Sequence, residues 1–103
     1  MRLVLSNVPP DRAESIARTL VEERVAACVN LLPVTSVFRW RGEVQNEAEV
    51  TLLVKVGVDA VERCLQRLRA LHPYELPEIV VVPVEVLRSF APYVAWVREE
   101  TGG

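Results

Sequence analysis

Asp11–Leu20, DRAESIARTL, and Asp59–Leu68, DAVERCLQRL, are two versions of one signal. Each opens Asp-x-x-Glu and continues with apolar residues at the three- and four-residue spacing of a helix face. An aspartate ahead of a first helical turn, with a glutamate three residues on, predicts an N-cap and its capping box. The chain holds twelve glutamates and only two aspartates, so the position of both aspartates is part of the signal. The first helix is expected to bury Ala13, Ile16, Ala17, Leu20 and Val21, and the second Val61, Cys64, Leu65 and Leu68.

Working outward, each helix lies between two strand candidates. RLVLSNV precedes the first helix and AACVNLL follows it; AEVTLLVKV precedes the second and EIVVVPV follows it. The middle two strands meet near RWRGEVQN as one long hairpin, with Gly42 in its turn. Val34, Ser36, Phe38 and Trp40 share one face of the outgoing strand; Ala48, Val50, Leu52, Val54 and Val56 share one face of the returning strand. Two βαβ units on one antiparallel sheet define an α+β, ferredoxin-like βαββαβ sandwich in a single domain, residues 1–103. An extra C-terminal helix begins near Ser89, with Phe90, Tyr93, Val94 and Val97 on one stripe and Trp96 beside it. Both main helices cover the same sheet face. The other face carries Leu53, Lys55 and either Ile79 with Val81 or Val80 with Val82, which is too apolar for water. Pro77 and Pro83 flank the fourth strand and suggest an edge. Association with further copies would cover the apolar face.

Bulk composition narrows the function classes. The chain has 103 residues, half of them hydrophobic and a quarter charged, with a net charge of -2. These values describe one folded domain and give no electrostatic case for nucleic acid or an anionic membrane. No apolar run approaches the ~20 residues of a membrane span, and the N-terminus lacks the length of a signal peptide. The sequence thus predicts a cytoplasmic protein, and its two cysteines, Cys28 and Cys64, are expected as free thiols. NVPPD and KVGVD, ahead of the helices, lack the glycine pattern of a phosphate-binding loop. No serine stands in a nucleophile elbow, and Cys28 lies in a strand-like run, so no catalytic constellation is present.

The segment LHPYELPE, Leu71–Glu78, holds the chain's single histidine. His72 has two open readings: it closes the second helix and caps its carbonyls, or its imidazole serves as a ligand. Lys55 is the one lysine among twelve basic residues and falls between apolar neighbours. It needs an acidic partner, for which Glu78 is the candidate, or it binds a ligand. Trp40, Tyr74 and Glu75, with Arg39, suit either a small-molecule pocket or an interface that excludes water.

ERVAACVN, the Trp40-x-Gly42 element and HPYE-x-P-E at His72–Glu78 resemble the CutA divalent-cation tolerance family, over Leu3 to Glu99. The resemblance implies tight homotrimers built like the PII signalling proteins, with the long hairpin extended onto a neighbour. It also implies a non-enzymatic role in tolerance of divalent metals, copper above all, and an unidentified signalling partner under the PII-like alternative. Cys28, His72 and Glu78 fit the family's proposed positions for Cu(II), Cu(I) or another divalent cation. Some members carry a further cysteine near the end of the first strand, where this chain has Ser6. From spacing alone the metal signal is weak, since no HxxxH or CxxC pair occurs.

Overall fold

The computed structural model describes residues 1–102. The elements run β1 (Arg2–Val8), α1 (Pro10–Glu22), β2 (Cys28–Trp40), β3 (Glu43–Val56), α2 (Val61–Leu71), β4 (Val80–Pro83) and α3 (Ala91–Glu100), with single 3-10 turns at Val58–Ala60 and Val86–Arg88. The sheet order is β2-β3-β1-β4 and every neighbouring pair is antiparallel. This is the ferredoxin-like arrangement expected from the repeat.

Both helix starts differ from the expected caps. α1 begins at Pro10, one residue before Asp11, and neither helix has a side-chain cap bond. Proline at the first helical position has its φ preset and lacks only an N–H that would be free there anyway. Asp11 therefore lies inside the first turn, where its charge favours the helix dipole. Asp59 sits in the 3-10 turn Val58–Ala60 that leads into α2.

Ala13, Ile16, Ala17 and Leu20 of α1 and Cys64 and Leu68 of α2 pack on Val4, Val8, Val50, Leu52, Val54 and Val56. Val21, expected in this core, is 40% exposed; it lies at the margin of the α1 stripe. Ser6 shares the helix-facing side and is fully buried, and among the described residues its Oγ has no hydrogen-bond partner. Cys64 is a core thiol that burial pushes up to about 11.

The register assigns the second face. Leu5 pairs with Leu53 and Val80, and Leu3 with Lys55 and Val82, so Val80 and Val82 are the β4 residues opposite the helices. Leu3, Leu5, Leu32, Leu53, Val80 and Val82 make this face apolar. α3 reaches only one corner of it, where Tyr93 adjoins Cys28. Thr101, just past α3, accepts the Gly57 N–H on Oγ1 at 3.2 Å and donates to the Val97 carbonyl at 2.8 Å.

β1 pairs with β3 only from Val50 to Val56, whereas β2 pairs with β3 up to Trp40↔Glu43. The outer half of the hairpin is therefore a two-stranded ribbon projecting from the sandwich. Arg41 and Gly42, with φ of 51° and 83°, close it. Two successive positive φ values form the turn whose twist matches the strands.

Candidate functional site

The loop that follows α2 sets the site. His72 leaves the helix with extended backbone, as a residue before proline must. Its ring turns inward beneath the end of β1, with 8% of the residue exposed. Nε2 lies 2.9 Å from the Asn7 carbonyl oxygen, and Nδ1 accepts the Tyr74 N–H at 3.2 Å. A carbonyl only accepts, so Nε2 carries the proton and the ring is neutral. Burial lowers the imidazole pKa below its ordinary value, partly offset by the Asn7 carbonyl and then Glu49 and Glu78.

Tyr74 stands 4.9 Å from the His72 ring, centroid to centroid, and donates its hydroxyl to Glu49 Oε2 at 2.7 Å. Burial first, and this bond second, hold the phenol well above its usual pKa. Glu49 is 7% exposed. Beside it, Thr51 donates to Asn7 Oδ1 at 2.6 Å and Asn7 Nδ2 donates to Glu78 Oε1 at 3.4 Å. Asn7 thus ties together β3, the His72 ring and the approach to β4.

Above this network opens a cleft of about 330 Å³ between the projecting ribbon and the loop, lined by Phe38, Trp40, Gln45, Glu47, Glu49, Tyr74, Glu75 and Leu76. The ribbon residues all lie on one face because Phe38 pairs with Gln45 and Ser36 with Glu47. At the rim, Arg41 bonds Glu75 at 3.1 Å, its guanidinium carbon 5.3 Å from the Trp40 ring centroid. Three of the expected pocket residues, Trp40, Tyr74 and Glu75, are brought together.

Lys55 is not among them. Its register partners are Leu3 and Cys28, whereas Glu78 bonds Asn7 four residues further along β1. The expected Lys55–Glu78 ion pair is therefore not formed; Lys55 Nζ lies 3.9 Å from Cys28 Sγ instead. The same offset divides the candidate metal ligands. His72 and Glu78 gather at Asn7, while Cys28 is level with Leu3, about 13 Å away along the strand. Ligands of one ion lie about 2.0–2.3 Å from it, so the three residues do not form a metal site within one chain. Among the described residues, no group of three or more His, Cys, Asp and Glu side chains is placed to hold a metal ion. Ser6 points away from Cys28, into the core, so a cysteine there would alter packing rather than complete the set.

Sequence reasoning missed Asn7 and Glu49. The β3 alternation already put Glu49 on the face of Thr51, Leu53 and Lys55; what it lacked was the tyrosine that reaches it.

Residues 2–100 match the model of the CutA1 divalent ion tolerance protein family. The divalent-cation tolerance protein CutA of Thermus thermophilus is 47% identical over 102 residues, covering 97% of both chains. Human protein CutA is 41% identical over 90 residues, and the chain spans 49% of its length. Among solved structures, the apo PII-like protein CutA of Nostoc sp. PCC 7120 superposes with a TM-score of 0.96 at 52% identity, covering 98% of this chain and 97% of that one. On both sequence and fold, the chain belongs to the CutA1 divalent ion tolerance protein family.

Proposed function

We propose that the protein acts in the response to divalent cations as a non-enzymatic, cytoplasmic homotrimer. The observation that carries this reading is the open sheet face: Leu3, Leu5, Leu32, Leu53, Val80 and Val82 need a cover that one chain does not supply, and further copies are the simplest one. The projecting ribbon supports it, with Val37 66% and Val44 64% exposed, because a two-stranded ribbon is only marginally stable in water by itself. Copper binding rests on donor chemistry alone, a thiol, an imidazole and carboxylates. With Cys28 far from His72 and Glu78 in one chain, such a site requires donors from more than one subunit.

A second reading, a PII-like signalling protein that takes a small metabolite at its subunit junctions, is favoured by the Trp40–Tyr74–Glu75 cleft. Light scattering on the purified protein tests the assembly, with an expected mass three times the 11.6 kDa chain. Calorimetric titration with Cu(II), and with Cu(I) under reducing conditions, tests the ion. Affinity reduced about tenfold or more by Cys28→Ser or His72→Ala, but not by Lys55→Ala, supports copper; equal affinity in all four proteins removes it.

A further inference from the structure

We propose that the cleft between the ribbon and the Tyr74–Leu76 loop binds a small organic cation, a primary amine or a guanidinium compound. The proposal rests on the second reading above and adds the ligand class. The lining residues supply three aromatic rings, Phe38, Trp40 and Tyr74, and three carboxylates, Glu47, Glu49 and Glu75, with no lysine, arginine or histidine among them. Aromatic faces attract cations through the ring quadrupole, and carboxylates on a partly closed wall strengthen the field. A phosphate or carboxylate ligand would meet three carboxylates, of which only Glu75 has a cation, Arg41, beside it.

The chain itself provides a precedent at the rim. Arg41 lays its guanidinium against the Trp40 ring at 5.3 Å while bonding Glu75 at 3.1 Å. Ring and carboxylate are thus already arranged for a guanidinium, and the 72% exposure of the Arg41 side chain lets a ligand share or displace it. Deeper in, Tyr74 fixes the orientation of the Glu49 carboxylate through the 2.7 Å bond to Oε2. Glu47 stands two residues along the same face, roughly 7 Å from Glu49 along the strand. That spacing suits a flexible amine bonded to one carboxylate and packed by the other. The volume of about 330 Å³ lies at the small end of ligand pockets, which fits a short amine better than a nucleotide.

The test uses the assembled protein carrying Trp96→Phe, so that Trp40 is the remaining tryptophan, with unmodified protein followed in parallel by thermal shift. Agmatine should change Trp40 emission saturably and raise the melting temperature. Glu47→Gln, at an exposed position, should weaken its binding about tenfold. Succinate and ATP should do neither. If succinate or ATP acts and agmatine does not, the ligand class is wrong and the small-molecule reading stands. If agmatine binds equally well to Glu47→Gln, the cation assignment fails. If none of the three perturbs Trp40 or the melting temperature, the proposal and the reading beneath it both fall.

Discussion

His72, a candidate ligand by its chemistry, is also a strut in the fold of the single chain. Both ring nitrogens are engaged, one donating to the Asn7 carbonyl and one accepting from the Tyr74 amide, and burial holds the ring neutral. Protonation would set a second N–H against the Tyr74 N–H. The folded pKa lies below the ordinary 6.5, so the unfolded chain binds more protons as pH falls, and stability should drop once pH passes below about 6.5. Urea midpoints at fixed protein concentration should fall more between about pH 7.5 and pH 5 for the native protein than for His72→Gln. Equal losses would show that the imidazole takes up its proton without opening this network. The sequence already singled out His72, Tyr74 and Glu75, because an imidazole, a phenol and a carboxylate set around Pro73 and Pro77 exceed what a linker needs, and Trp40 separately, as a large aromatic beside the hairpin turn. It could not pair them with Asn7 and Glu49, since alternation along a strand gives its face but not its register. The same gap produced the Lys55–Glu78 expectation, which is wrong by four residues along β1. Ser6 shares the face of Val4 and Val8 by simple alternation; what alternation could not show is that its buried hydroxyl has no partner among the described residues.

At the scale of elements, the repeat was legible because burial enforces it. The helix stripes Ala13–Ile16–Ala17–Leu20 and Cys64–Leu68 and the alternation of β3 each follow from packing on one face of a sheet. Helix starts were less legible, because Pro10 and the 3-10 turn at Val58–Ala60 competed with the aspartate signal and won. The docking of α3 was not legible at all. Only Val97 of that helix is buried, and polar contacts attach the rest: Arg24 to the Glu99 carbonyl, Arg63 to the Thr101 carbonyl, and Thr101 Oγ1 set against the Gly57 backbone. A Cβ on Gly57 would lie 2.6 Å from that oxygen, closer than atoms pack, and a tight 3.2 Å from the Arg98 Cα. Gly57→Ala should therefore destabilise the protein by roughly 1–3 kcal/mol. In a Thr101→Ala background the same substitution should cost less, because the oxygen it meets is gone. A double-mutant cycle in urea should give a coupling of about 0.5 kcal/mol or more, and strict additivity would place the strain elsewhere.

The whole molecule has a radius of gyration of 14.2 Å and extents of 44 × 27 × 20 Å, against about 13 Å expected for a compact domain of this length. The excess is the ribbon, and its shape and the bare sheet face make the same demand. One sandwich buries its helices on one side, leaving leucines and valines opposite and a ribbon with exposed valines reaching past the sheet. Assembly meets both needs at once if the open faces pack together and each ribbon lies on a neighbour. On that account Leu53, at the centre of the open face and half-buried in the single chain, is critical for association and not for the fold of one subunit. Leu53→Glu would place a carboxylate in each apolar contact, where it is desolvated and repels its copies, with Lys55 on the same face as its one nearby cation. Light scattering should then show a native mass well below three chains, while the far-UV circular dichroism of the folded subunit persists. Val21→Glu, an equally polar change on the helical side at a residue 40% exposed, should leave the mass unchanged. An unaltered mass for Leu53→Glu would show that the open face is covered by something other than further copies of the chain.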